Sequence, residues 1–203
     1  MKLGSLPFTY LGSPITTARL KVSDCDALVN KLTNRINAWG SRHFSYSARI
    51  RIINSVFMGI ISFWSRIFIL PKMVMKKIVS ICRNFLWGGS QEYKTPLVNW
   101  EEVCKEKKYG GLGIKHIQNW NRSNVQKLNW DVASKKDVLW VKWIHNRYIK
   151  GSSVWNYIPK IDSCHHWREL IKARTHFRDM PVTNGYTTRD GYTWLQGESE
   201  KPQ

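Results

Sequence analysis

The longest apolar segment of the chain, Ser45–Trp87, places the strongest limit on how it can fold. Pro71 divides this segment, and proline is poorly tolerated inside a helix because it lacks the N–H group and clashes with the preceding turn. Before Pro71 the apolar residues form a wide helical face. After Pro71 the apolar residues lie within about 60° of one another around the helix axis. They are Val74, Ile78, Ile81 and Phe85. The segment therefore predicts two consecutive helices, the second of them clearly two-faced.

The uncharged part of the same segment is too short to cross a membrane. Its longest run without a charge, Ile52–Ser65, has 14 residues, whereas a spanning helix needs about 20. We therefore expect a buried helix and no membrane partner. A basic protein that binds the membrane surface is the weakest of the alternatives considered.

Periodicity along the rest of the chain predicts a mainly α fold. We expect a helical bundle with a small N-terminal β-hairpin at Phe8–Ile15 and a loosely ordered C-terminal tail, because Pro, Gly, Thr and Ser dominate after residue 180. Further helices are predicted at Ser23–Trp39, Trp100–Cys104, Gln118–Ala133, Val138–Ile149 and Ser163–Arg174. The chain is divided into a hairpin (1–20), a pair of helices with their lead-in (21–90), a basic Trp-rich helical region (91–178) and a flexible tail (179–203).

The charge is extreme and unevenly distributed. The net charge is +18, and residues 1–178 carry 30 Lys and Arg against 10 acids, whereas residues 179–203 carry 2 against 4. Such a field attracts phosphate polymers or anionic surfaces. The four cysteines are far apart and no signal peptide is recognisable, so we expect reduced thiols and an intracellular location, including the nucleus.

The sequence predicts neither a metal site nor a cofactor. Its acids are scattered and share no two-metal motif. Cys104 with His116, and Cys164 with His165 and His166, supply zinc-ligand types, but their spacing does not suit a tetrahedral site. The glycines at 110–113 lack the spacing of a phosphate-binding loop, so a turn is the favoured interpretation.

Basic residues interleaved with tryptophan are the remaining signal. The chain has 11 tryptophans, and cationic grooves with stacking aromatics bind single-stranded nucleic acids. Trp64 and Trp87 are nevertheless predicted to lie in the core. Lys72, Lys76 and Arg83 form a stripe opposite the apolar face, for which phosphate contact and simple solvation are equally good interpretations.

Taken in order, short motifs over residues 6–175 resemble the reverse transcriptases of plant non-LTR (LINE-type) retrotransposons, downstream of the catalytic palm. The motifs are Leu6–Ile15 (LPFTYLGSPI), Ser45–Val56 (SYSARIRIINSV), Phe68–Lys72 (FILPK), Phe85–Gly88 (FLWG), Gly110–Ile114 (GGLGI) and Leu139–Trp143 (LWVKW). The resemblance implies a primer-grip hairpin with Phe8 near the primer, followed by a helical thumb. It also implies contacts of RNA or DNA template–primer with Tyr10, Leu11, Gly12, Arg49, Lys72, Lys76, Arg83, Lys107 and Lys108.

The chain departs from that family in lacking the palm with its catalytic carboxylates, the upstream endonuclease and the downstream zinc-binding region. The expectation is therefore a truncated, non-catalytic fragment of an RNA-directed DNA polymerase that at most binds RNA or DNA. The alternative is a transposable-element remnant without a nucleic-acid role, either functionless or binding another protein of unknown identity.

Overall fold

The computed structural model describes residues 8–10, 12–15, 19–39, 44–88, 98–161, 163–181 and 185–199. Within these residues the protein is mainly helical, as predicted, with a single short hairpin near the N-terminus. The strands are β1 (Phe8–Tyr10) and β2 (Ser13–Ile15). The helices are α1 (Asp26–Trp39), α2 (Tyr46–Ile52), α3 (Met58–Ser65), α4 (Lys72–Gly88), α5 (Trp100–Cys104), α6 (Ile117–Ala133), α7 (Leu139–Ile144), α8 (His165–Ala173) and α9 (Thr188–Ser199).

The predicted hairpin is confirmed. Strands β1 and β2 pair antiparallel, with Phe8 opposite Ile15 and Tyr10 opposite Ser13. Gly12 lies in the connecting turn with φ of +77°, a backbone conformation that glycine adopts without a steric penalty.

The chain forms two compact units. Among the described residues, the first unit holds most of those up to Gln118, and the second holds Ser65–Ile69 with those from Asn119 onward. The division into four segments made from the sequence stays a prediction.

Two helical runs separated by Pro71 are confirmed in the first unit. Ser45 caps the first run by accepting the N–H of Ala48 at 3.3 Å. That run continues from α2 through a widened π-helical turn, Ile53–Phe57, into α3. Helices α1 and α2 both pack on α4, whose apolar face is buried at Val74, Ile78, Cys82, Phe85 and Leu86. The predicted apolar face of α4 is therefore core.

Aromatic rings fill the space between these helices. Phe57 stacks on Trp39 with ring centroids 6.3 Å apart and lies 5.2 Å from Phe85. Trp64 is buried, as expected. Trp87 is half-buried, and its ring packs 5.5 Å from that of Tyr46.

The core of the second unit lies between α6, α7 and α8. Tyr148 stacks on the buried Trp167 with centroids 5.3 Å apart. Buried aliphatic residues complete this cluster: Val125, Val132, Val141, Ile144, Ile149, Val154, Leu170 and Ile171. Within it, the buried Asn129 Nδ2 donates to the carbonyl of Leu170 at 2.8 Å, whereas Asn129 Oδ1 is buried without a hydrogen-bond partner.

The C-terminal tail holds more regular structure than its composition predicts, because residues 188–199 form α9. Thr187 and Asp190 cap this helix reciprocally: the Thr187 N–H donates to Asp190 Oδ2 at 3.1 Å, and the Asp190 N–H donates to Thr187 Oγ1 at 3.2 Å. The Tyr186 hydroxyl donates to the buried carbonyl of Ser123 at 2.9 Å. A capping pair thus acts where the local composition suggested only a loop.

None of the helices in the described ranges combines the length and apolarity that crossing a bilayer requires.

Candidate nucleic-acid interface

The strongest electrostatic feature of the sequence is local. Residues 27–91 contain ten Lys and Arg and no Asp or Glu. Most of this stretch belongs to the first unit. The total charge of the chain concealed this feature, which counting acids in successive windows would have revealed.

Helix α4 begins with an exposed group of lysines. Lys72 and Lys76 lie one turn apart on the same face, and Lys77 is also exposed. The first turn of α4 contains no acid, although the N-terminal end of a helix carries positive partial charge and is stabilised by acids. The ion pairs formed by the described residues involve other lysines. The start of α4 is therefore an uncompensated positive surface, which we call the α4 lysine group (Lys72, Lys76, Lys77).

Arg83 is half-buried, unlike Lys72 and Lys76. Its guanidinium carbon lies 6.0 Å from the ring centroid of the buried Trp100, and its Nε is buried without a hydrogen-bond partner. Of the predicted outward face, Lys72 and Lys76 are thus exposed, whereas Arg83 is partly covered by Trp100. Helical periodicity predicts the side of its own helix on which a residue lies. It does not predict whether another part of the chain covers that residue.

Arg49 has a structural partner as well. Its guanidinium donates to the carbonyl of Leu86 at 3.2 Å, in the last turn of α4. The carbonyls of a last helical turn have no partner within the helix, and a cation there is favoured by the helix dipole. The half-buried Arg49 therefore holds α2 against α4.

Lys107 and Lys108 lie on an exposed turn, Lys107–Tyr109, which follows α5. The ammonium of Lys108 lies 3.0 Å from Glu106 and 4.7 Å from the ring centroid of Tyr109. The hydrogen bond to Glu106 raises the pKa of Lys108 above its ordinary value. Both lysines thus lie at the surface, and Lys108 is paired there with Glu106.

The glycine-rich loop that follows is a turn, as predicted. Gly110 ends the Lys107–Tyr109 turn with φ of +83°. Gly111 packs against the backbone, since a Cβ there would lie 2.0 Å from the carbonyl oxygen of Lys105. On the far side, Asn54 Nδ2 donates to the Gly113 carbonyl at 2.9 Å and its Oδ1 accepts the Lys115 N–H at 3.1 Å. The loop is therefore fixed to the long helical run that contains Asn54.

The hairpin candidates are only partly visible. Gly12 lies in the turn. Leu11 lies outside the described residues, as do the side chains of Phe8 and Tyr10, whose backbones belong to β1. The structure thus places Lys72 close to Lys76 on one exposed surface and Lys107 next to Lys108 on another. Arg49 contacts the Leu86 carbonyl, and Arg83 contacts the Trp100 ring.

Three of the four cysteines are buried and one is exposed. Across the part of the chain that the structure describes, no three His, Cys, Asp or Glu side chains are grouped so that they could hold an ion. Burial raises the pKa of the Cys82 thiol to about 12, and that of Cys104 likewise to about 12. These two thiols are core residues, whereas Cys164 is exposed.

No protein-family model matches the chain. It is similar to the putative ribonuclease H protein At1g65750 of Arabidopsis thaliana, with 27% identity over 192 residues. The alignment covers 93% of this chain and 29% of the relative, so the chain spans less than a third of that protein's length.

This similarity overturns the assignment to LINE-type reverse transcriptases. The relative is named for ribonuclease H, so the identification as the thumb region of a truncated RNA-directed DNA polymerase was wrong. The motifs behind it are largely apolar residues and glycines. Gly110–Ile114 shapes a turn, and Phe85–Gly88 ends a buried helix, so these two motifs are explained by packing. Over most of its length, the chain is similar to part of a plant protein named for ribonuclease H.

Proposed function

We propose that this chain is a non-catalytic nucleic-acid-binding region of a ribonuclease H-type protein, and that the α4 lysine group is its principal phosphate contact. One observation carries the proposal: three exposed lysines occupy the start of a helix, within 65 residues that contain no acid. Phosphate oxygens complement both the ammonium groups and the free N–H groups of a helix start. The name of the Arabidopsis relative, which refers to a ribonuclease, supports the same class of ligand.

Lys72, in the first turn of α4, is unfavourable for the isolated protein, which is a reason to expect a ligand there. A cation in the first turn of a helix opposes the macrodipole by about 0.3–1 kcal/mol. A bound polyanion reverses the sign of that interaction, and the counterions it releases add to affinity. Lys107 and Lys108 would extend the contact from a second exposed site in the same unit.

The salt dependence of binding tests the proposal. We expect the logarithm of the binding constant of a fluorescent single-stranded RNA to fall linearly with the logarithm of salt concentration. Replacing Lys72, Lys76 and Lys77 together by Gln should lower that slope by about 2, because each single-strand phosphate contact contributes about 0.7.

A matched control separates a site from general charge. The variant with Lys142, Lys160 and Lys172 replaced by Gln loses the same charge from exposed positions of the second unit. This control variant should keep nearly the same dependence of the binding constant on salt concentration as the wild-type chain. Equal losses in the two triple variants would show that binding follows net charge alone, and no binding by the wild-type chain at 50 mM salt would refute the proposal.

The proposal is one of binding without reaction. An end-labelled RNA–DNA hybrid incubated with the chain and Mg²⁺ should keep its RNA strand intact. Cleavage that survives repurification of the chain would contradict this part of the proposal. An intracellular location, including the nucleus, stays a prediction.

A further inference from the structure

Tyr109 is an exposed aromatic residue on a basic loop. Its side chain lies at the end of the Lys107–Tyr109 turn and is 56% exposed. Tyrosine usually buries its ring and leaves only the hydroxyl in water. A ring held in solvent between charged neighbours is therefore a candidate for contact with a ligand.

The backbone around Tyr109 is firmly held. The Tyr109 N–H donates to the Glu106 carbonyl at 2.9 Å, the Leu112 N–H donates to the Val103 carbonyl at 3.0 Å, and the Gly113 N–H donates to the Lys105 carbonyl at 2.9 Å. With the contacts of Asn54 to Gly113 and Lys115, the loop is closed on both sides. A ligand that uses this ring meets a preorganised surface, which reduces the ordering cost of binding.

One lysine lies over the ring and a second is exposed two positions before it. The Lys108 ammonium is 4.7 Å from the ring centroid and 3.0 Å from the carboxylate of Glu106. Lys107 is exposed on the same turn, and a phosphate would take the place of Glu106 beside Lys108. A stacking aromatic beside two cations is the combination that holds a nucleotide, because the base meets the ring and its phosphates meet the ammonium groups.

We propose that the Lys107–Tyr109 turn is a stacking site for an unpaired nucleobase, so that this surface recognises single-stranded nucleic acid. The base stacks on the ring face opposite Lys108, while Lys107 and Lys108 contact the adjacent phosphates. A base inside a duplex has both faces covered by its neighbours and cannot take this position without being extruded. This inference rests on the proposed nucleic-acid binding and assigns its substrate class.

The test compares Tyr109→Ala with Tyr109→Phe on a single-stranded RNA containing one 2-aminopurine and on a blunt duplex of the same length. Tyr109→Ala should lower the affinity for the single strand by about 5- to 150-fold, the range expected for losing one stacked base. Its affinity for the duplex should change less than about twofold, and the stacking-dependent quenching of 2-aminopurine should disappear. Tyr109→Phe should retain both the affinity and the quenching, because its ring can still stack.

Phe63→Ala is the matched control, because Phe63 is an aromatic residue of α3 with similar exposure, 47%. It should leave both affinities and the quenching unchanged. Wild-type affinity of Tyr109→Ala for the single strand, or an equal loss on the duplex, would overturn the inference. If the wild-type chain binds and depends on the α4 lysine group while Tyr109→Ala changes nothing, the stacking site alone fails. If the wild-type chain binds no nucleic acid, both proposals fail.

Discussion

The backbone N–H of Lys115 donates to the side-chain oxygen of Asn54 at 3.1 Å, across 61 positions of sequence. The nitrogen of the same amide donates to the Gly113 carbonyl at 2.9 Å. One half-buried side chain thus satisfies two backbone groups of a loop that has no sheet to pair with. This double contact joins the basic loop to the helical run from Tyr46 to Ser65.

Replacing Asn54 by Ala should destabilise the first unit by about 1–3 kcal/mol, because two partly buried backbone groups lose their partner. Urea denaturation would measure the loss, and hydrogen exchange should become faster at the Lys115 amide in particular. Asn37→Ala, at an exposed position of α1, should change neither quantity appreciably. An Asn54 variant with wild-type stability and exchange would show that the loop is held by its own backbone contacts.

Two glycines should respond oppositely to substitution by Ala. Gly111→Ala places a Cβ 2.0 Å from the Lys105 carbonyl oxygen, so we expect a loss of about 2 kcal/mol or more through forced backbone movement. Gly59, inside α3, has nothing within 4 Å of its added Cβ, so Gly59→Ala should stabilise the protein by about 0.5–1 kcal/mol. Thermal denaturation of the two variants side by side would show shifts of opposite sign. Shifts of the same sign would contradict the described geometry.

The fold was largely predictable because its determinants are local. Helical spacing and Pro71 were enough to predict α4, and Trp100–Cys104 was predicted with its observed limits. The helix α9 was not predicted, since its Thr187–Asp190 cap lies among residues typical of loops and its anchor, Tyr186, bonds to a carbonyl 63 positions away. Periodicity contains no information about such distant partners.

Lys72→Glu should affect stability and binding in opposite directions. An acid in the first turn of α4 is favoured by the helix dipole, so the substitution should raise the free energy of unfolding by about 1 kcal/mol. It should weaken binding to single-stranded RNA, because a phosphate contact is lost and a repulsive charge takes its place. Lys31→Glu, at an exposed position within α1, should not give the gain in stability. Loss of stability in Lys72→Glu would indicate that the lysine has a structural partner.

The candidate site was predictable only in part. Lys72, Lys76, Lys107 and Lys108 are at the surface, as a solvated or binding face requires. Arg49 and Arg83 look equally basic in the sequence, yet a carbonyl 37 positions away holds one and the ring of Trp100 covers the other. Long flexible side chains reach partners that their own helix does not reveal. The contacts of Arg49 and Arg83 within the fold could therefore be found only in the structure.

Stability should fall in alkali because of the buried thiols. Burial raises the pKa of Cys82 from its ordinary value of 9.0 to about 12, and Cys104 shifts in the same direction. The unfolded chain releases these thiol protons at lower pH than the folded chain does. The two thiols therefore contribute fully to the free energy of unfolding below about pH 9, and this contribution is lost as the pH rises toward about 12. The slope is about 1.4 kcal/mol per pH unit for each thiol.

Urea denaturation at pH 8, 9.5 and 10.5 would measure this loss. Cys82→Ala should be less stable at pH 8 but less sensitive to further increases in pH. Cys164→Ala, at an exposed position, should follow the wild-type curve. Parallel curves for Cys82→Ala and the wild-type chain would rule out this origin for the alkaline sensitivity.

The widened turn Ile53–Phe57 has a further consequence for Asn54, which lies within it. Each residue of an α-helix advances the rotation by about 100°, whereas a π-helical turn accommodates one extra residue within the turn. Helices α2 and α3 therefore keep nearly the angular phase of one continuous helix, and the extra residue is confined to the turn that contains Asn54. A single-residue deletion at the exposed Ser55 would shorten the chain without shortening any loop. It would let the turn close to α-helical geometry, and the cost would be borne by the contacts of the Asn54 amide rather than by the packing of α2 or α3.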